Sequence, residues 1–427
     1  MSWRHISLMG VLLSVLSWPA MTRAADGNAP RHEGVATCAS SLCHGSSKPL
    51  QAYDALQNEY TTWSQFDPHS GAYRTLLSKE SQEIARRMGI GPAHQAPACL
   101  ACHADAVPAA QRGPRFQIED GIGCEGCHGG AEKWLSTHYQ KPRIPRAESL
   151  AQGLVPLEQT RELTRTCLAC HVGENNRFAN HQMMAAGHPR LVFELDSYLE
   201  LWRTSGGREH YRKKPDLNHA SLWAKGLVES SRRQLDLIEQ HGSGRRGPLA
   251  DFSVFACHSC HRDLKLTDWR GSSALGVAPG DLRWQDAHLL VLQRVAVALR
   301  LGGAAELAKT VTTLQRAAHG DAAMLRTALA ESRASLATID GQLATVNWNA
   351  TTLNTIVGAL AESARQGSFP DPAAAEQAAM GMVVMLSSLQ VDSARRADIN
   401  RLFDVLKDDN AFDQRQFIQW MKVLEAR

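Results

Sequence analysis

The ten cysteines of this 427-residue chain fall into five close pairs, and a histidine directly follows the second cysteine of each pair. The pairs are Cys38 and Cys43, Cys99 and Cys102, Cys124 and Cys127, Cys167 and Cys170, and Cys257 and Cys260. The histidines are His44, His103, His128, His171 and His261. Two thiols with two residues between them can add across the vinyl groups of one porphyrin, because a single turn of backbone presents both sulfurs along that edge. The adjacent imidazole then reaches the iron as an axial ligand, which is the attachment signature of haem c. The first pair is wider, Cys38-Ala-Ser-Ser-Leu-Cys43-His44, with four residues between the sulfurs. Its longer loop can bulge outward and leave the terminal Cys-His unit intact, so it is read as a fifth attachment site. A disulfide or two free thiols is the alternative there.

Other uses of paired cysteines fit less well. Ten cysteines in an exported chain would ordinarily suggest disulfides, but nothing about disulfides calls for a histidine after every pair. Structural zinc takes four ligands from two knuckles, so five knuckles would leave one unmatched. A thioredoxin-like pair needs a βαβ setting, and none surrounds these motifs.

If five irons are present, the far side of each decides what the protein can do. A second histidine closes the iron to ligands, whereas an open position invites a substrate. Five histidines outside the motifs stand out as distal candidates: His69, His94, His138, His181 and His188. His181 and His188 are seven apart, about two helical turns, and share a face if their segment is helical. Gly187 and Pro189 flank His188 and would end that helix. His210, His219 and His288 are reserves. His258, inside the last motif, is expected to point away from its iron, and Met183 and Met184 are expected to be packing residues.

The elements that must position these groups are mainly helical. Leu76–Met88 and Ala220–Gln240 read as helices between Gly- and Pro-rich stretches, with Ser205–Gly207 and Gly242–Gly244 as connectors. Strand signals are scarce, and porphyrin faces would replace aliphatic side chains as the buried surface. After Asp281 there is no cysteine. Amphipathic periods then predict helices over Trp284–Leu301, Ala304–Ala318, Met324–Ala344, Thr352–Gln366, Ala373–Leu389 and Ala394–Leu424, the last broken near Asp408–Asn410. The predicted fold is mainly α: a multihaem cytochrome c module with a haem-stack core and little β, followed by a C-terminal helical domain. The expected division is a signal peptide over 1–24, the pentahaem module over 25–281 and the cysteine-free helical domain over 282–427.

Export follows from the N-terminus. Arg4 supplies a positive start, Ile6–Trp18 an apolar run too short for a comfortable span, and Thr22-Arg23-Ala24-Ala25 small residues near a cleavage point. An uncleaved anchor is the alternative. The formal charge of +3 has no basic stripe that would suit nucleic acid. Five attached haems would add roughly ten propionates and make the loaded protein acidic.

The run from Trp63 to His69, then Cys99-Leu-Ala-Cys-His103, then Gly123-Cys-Glu-Gly-Cys-His-Gly129, resembles the cytochrome c554 family of multihaem proteins, related to hydroxylamine oxidoreductase and octahaem tetrathionate reductase. The resemblance extends over about residues 35–265. It implies a mainly helical periplasmic protein with haems in close parallel and perpendicular pairs, relaying electrons from a periplasmic oxidase toward membrane carriers. Two departures matter: the named cytochrome has one haem fewer than the five sites here, and the first site here is wider.

The leading expectation is therefore a periplasmic electron-transfer cytochrome with five covalent haems c. Its partners would be redox proteins, a membrane-bound quinone-linked or respiratory complex among them. The rival is an oxidoreductase acting on a small nitrogen or sulfur compound at one five-coordinate haem, with Arg143 and Arg146 as cations that could hold an anion. A third possibility is a structural subunit docking through residues 282–427.

Overall fold

Apolar residues spaced for helices in the C-terminal third do form helices, and four of these start where a side chain satisfies free amides. In the computed structural model, which describes residues 29–50, 55–140, 144–174, 177–202, 218–242, 250–261, 277–278, 281–390 and 393–426, these helices are Ala287–Ala298, Ala304–Arg316, Ala322–Leu343, Ala350–Arg365, Pro372–Ser388, Ser393–Asp404 and Gln414–Glu425. Asp321, Asn349, Asp371 and Asp413 cap four of them with side-chain oxygens. The expected break near Asp408–Asn410 is a short 3₁₀ turn, Asp409–Ala411. The signal segment, Arg143, His210, the Ser205–Gly207 connector and residues 243–244 lie outside the described residues.

The cysteine-bearing half is built differently. Its helices are short: Val35–Cys38, Glu59–Phe66, Ala72–Thr75, Lys79–Met88, Pro97–His103, Cys124–His128, Arg146–Ala151, Thr160–His171, His181–Ala185 and Leu195–Trp202. The helix expected from Leu76 begins at Lys79, because the Ser78 hydroxyl accepts the Ser81 amide and sets the N-terminus there. Among the described residues the only β-pairing is isolated bridges, His32 with Arg112, Glu174 with Arg177 and Phe255 with Trp284. The protein is mainly α, as its sequence predicts.

Burial separates the two halves more sharply than helix content does. One large apolar cluster fills the C-terminal half, with Leu290, Leu292, Leu307, Leu336, Ile356 and Met385 fully buried. Among the described residues before His219, the cysteine-bearing half has small clusters, such as Leu76, Ala85 and Ala93, and Leu163, Leu168, Phe193 and Leu195. So little aliphatic core is too small to stabilise that much ordered chain, which is the expectation for a region packed around large apolar prosthetic groups.

The large core starts before residue 282. The helix His219–His241 buries Trp223, Ala224, Leu227, Val228, Leu235 and Ile238 in it, and Val254 and Phe255 join it. Gly381 faces the Trp223 indole so closely that a Cβ there would sit 2.4 Å from a ring carbon. Ion pairs tie the same helix to Ala322–Leu343: Lys225 and Arg232 to Asp340, and Arg333 to Asp236 and Glu239. The last cysteine motif hangs from this body. The Ala256 amide donates to the Arg283 carbonyl at 2.7 Å, and Phe255 stacks on Trp284 at 4.4 Å.

Candidate haem centres

Each motif places its histidine at the end of a tight turn. In the wide first motif, the Cys43 and Gly45 amides both donate to the Ser40 carbonyl, and the His44 amide donates to the Cys38 carbonyl. The two extra residues therefore loop outward, with Leu42 85% exposed, and Cys43-His44 keeps its local geometry. Cys99, Cys124 and Cys167 sit on the helices Pro97–His103, Cys124–His128 and Thr160–His171, each of which ends on its histidine. Cys257–Ser259 is a 3₁₀ turn. No two of the ten cysteines are joined by a disulfide.

Four of the five distal candidates face a motif histidine. His138 lies with its ring centre 6.3 Å from that of His44, the planes nearly parallel at 11°. His69 lies 5.9 Å from His171 at 83°, His188 lies 6.5 Å from His103 at 82°, and His181 lies 6.3 Å from His261 at 33°. Two imidazoles on opposite faces of one iron should have ring centres about 6.3 Å apart, given an iron–nitrogen bond of about 2 Å and about 1.15 Å from nitrogen to ring centre on each side. The four separations fit this spacing.

The hydrogen bonds point the same way. Nδ1 of His138 donates to the Leu135 carbonyl at 2.7 Å, that of His188 to the Pro189 carbonyl at 2.8 Å and that of His103 to the Ala72 carbonyl at 3.2 Å. Carboxylates take the same role at Nδ1 of His44, with Glu59 at 2.9 Å, and of His69, with Asp67 at 2.8 Å. A proton held on Nδ1 leaves the Nε2 lone pair for a metal, the usual outer-shell arrangement of ligating histidines. Burial alone would raise the Glu59 carboxyl, but hydrogen bonds from His44 and the Leu56 amide outweigh it and hold it down to about 2. Burial pushes His171 down to about 4, which keeps it in the neutral form that can bind iron.

The remaining assignments sort as follows. His94 has its ring edge-on to Tyr73 at 6.4 Å, Nδ1 3.4 Å from the Gln82 amide nitrogen and Nε2 3.4 Å from that of Gln95. The expectation that His181 and His188 share a helical face does not hold: the helix ends at Ala185, Gly187 turns the chain at φ 118°, and the two rings face different motifs. His258 packs edge-on to Phe412, Met183 is buried, and Arg146 is paired to Glu158. His219 bonds Asp196, and His288 is buried beside the Phe193 carbonyl.

Motifs distant in sequence adjoin in space. Cys38 lies beside Cys124, Cys102 beside Cys170, and Cys127 near Cys167 and Cys170. Burial pushes the Cys127 and Cys167 thiols up to about 12. Glu125, inside the third motif, is buried and accepts three backbone amides, Glu33, Gly34 and Ala131, at 2.7–2.8 Å. It pins the N-terminal segment against that motif. His32 bonds Asp105 at 2.6 Å in the same region. No local sequence pattern marks these anchors, because the Glu33, Gly34 and His32 contacts span 73 to 92 residues.

Paired cysteines beside facing imidazoles at iron-bridging distance are the arrangement that c-type haem attachment requires. Residues 37–129, which hold three of the five motifs, match the family described as cytochrome c554 and c-prime, and the match supports covalently bound haem c and a role in electron transfer. No curated protein and no solved structure matches the chain. Among the described residues no helix is long and apolar enough to cross a membrane.

Proposed function

We propose that the chain is an exported cytochrome that carries five covalent haems c and passes electrons between redox partner proteins, with no substrate of its own. The observation that carries this reading is the set of four facing histidine pairs. In the proposed ligation, His44 with His138, His103 with His188, His171 with His69, and His261 with His181 each hold one iron. Haem c, when attached, supplies a reversible one-electron iron couple.

The residues of the chain do the rest. At the four paired sites a histidine on each face would fill both axial positions, so electrons would pass there while small molecules find no vacancy. Glu59 and Asp67 make His44 and His69 stronger donors, which favours oxidised iron and a low potential. The adjoining motifs keep the attachment points close, as a relay requires. Export rests on the Arg4 to Ala25 pattern, and the redox partners, a membrane-bound quinone-linked or respiratory complex among them, follow from the relay reading.

The purified protein tests it. Expected results are an intact mass five haems above the signal-cleaved polypeptide, rapid reduction and reoxidation, and no turnover of hydroxylamine, nitrite or tetrathionate. Turnover with stoichiometric carbon monoxide binding at one haem would replace the carrier by an oxidoreductase. A mass four haems above the polypeptide would remove the Cys38 and Cys43 site.

A further inference from the structure

Most of the facing imidazoles are fixed by a hydrogen bond at Nδ1, but His171 is not. Among the described residues its ring makes no hydrogen bond and instead stacks on Phe193, ring centres 4.4 Å apart and planes 21° apart. Tyr198 closes the stack, 4.7 Å from Phe193 and 6.0 Å from His171. Phe193 is 5% exposed and packs with Leu163, Leu168, Leu195 and Leu222, so its plane has little freedom. Its backbone is gripped from the other half of the molecule. The Phe193 carbonyl accepts Gln377 Nε2 at 3.2 Å, and His288 Nε2 lies 3.5 Å away. Gln377 lies on Pro372–Ser388 and His288 on Ala287–Ala298, both in the large helical core.

We propose that Phe193 is a positioning residue for His171, and that the C-terminal helical body, through Gln377 and His288, thereby sets the orientation of one axial ligand of the Cys167 and Cys170 haem. This gives residues beyond 282 a role in the redox chemistry besides packing. It rests on the histidine-pair ligation proposed above. The geometry has a readable consequence. His69 and His171 stand at 83°, and crossed imidazole planes leave two iron d orbitals close in energy, which gives a low-spin signal of extreme g anisotropy. A stacked phenyl ring keeps the planes crossed. Without it His171 can rotate, and the anisotropy of that one signal falls. Because His171 lacks the Nδ1 bond that would make it a stronger donor, orientation is the main lever the protein has on it.

Electron paramagnetic resonance of the oxidised holoprotein tests this. Phe193→Leu keeps apolar volume and removes the ring, and Phe193→Tyr keeps the ring. The signal to follow is the one that His69→Ala converts to high spin. Phe193→Leu is expected to lower its g anisotropy and shift its midpoint potential while the other signals and the intact mass stay unchanged. Phe193→Tyr should keep the original signal, and Gln377→Leu should move it in the direction of Phe193→Leu. An unchanged signal in Phe193→Leu, or a uniform shift of every haem, overturns the proposal. If Phe193→Leu does not accumulate, an unmoved signal in Gln377→Leu overturns it. Should His69→Ala leave every spin state unaltered, the ligation reading itself fails, which is a different result.

Discussion

Glu125→Gln should loosen the junction between the N-terminal segment and the third motif. One carboxylate oxygen accepts the Glu33 and Ala131 amides at 2.8 and 2.7 Å, and the other accepts Gly34 at 2.7 Å. A glutamine oxygen can keep the first two, but the amide nitrogen then meets the Gly34 N–H donor to donor. Leaving that buried amide unsatisfied costs about 1–3 kcal/mol, and the two retained bonds lose charge assistance worth about 0.5 kcal/mol each. The chain cannot move aside, because Gly34 sits at φ 90° with the Arg115 carbonyl where a Cβ would be. The expected loss is about 2–4 kcal/mol, concentrated in residues 30–38 that lead into Cys38. Native-state hydrogen exchange of the holoprotein reads it directly: the Glu33, Gly34 and Ala131 amides should exchange roughly 30- to 1000-fold faster. Unchanged protection at Gly34, with global stability within about 0.5 kcal/mol of the original, would refute the reasoning.

Two further outcomes follow from other sites. His188→Ala should convert the Cys99 and Cys102 haem from low to high spin, and an unaltered spin-state spectrum would reject that ligand. Burial pushes the Glu194 carboxyl up to about 7, with Asp196 adding to it. The folded protein thus keeps a proton that the unfolded chain has released, and stability should fall by about 1.4 kcal/mol per pH unit from about pH 4.5 to about pH 7. Glu194→Gln should flatten that limb of the denaturant midpoint against pH, and an identical slope would contradict it.

The attachment sites were legible because thioether chemistry writes its demands into a short run, five residues at four sites and seven at the first. The helices after Ala287 were legible because their apolar faces recur with the helical period. What those faces bury was not legible: Ala220–Ile238 carries a period indistinguishable from its neighbours', yet it lies in the C-terminal core. Periodicity says that a face is covered, not by which element. His69, His138, His181 and His188 stood out by local context, but their pairing with particular motifs depends on contacts between distant segments. His181 and His188 do not share a helical face, because the helix ends at Ala185 and Gly187 turns the chain before His188. Phe193 carried no signal at all, since an aromatic residue among leucines reads as core until a histidine is seen stacked on it.

The most direct test of the central claim is the low-temperature electron paramagnetic resonance spectrum of the oxidised, fully loaded protein. The near-parallel His44–His138 pair at 11° should give a well-resolved rhombic low-spin signal, and the crossed His69–His171 and His103–His188 pairs at 83° and 82° should give highly anisotropic ones. A spectrum dominated by high-spin iron would contradict histidine ligation on both faces.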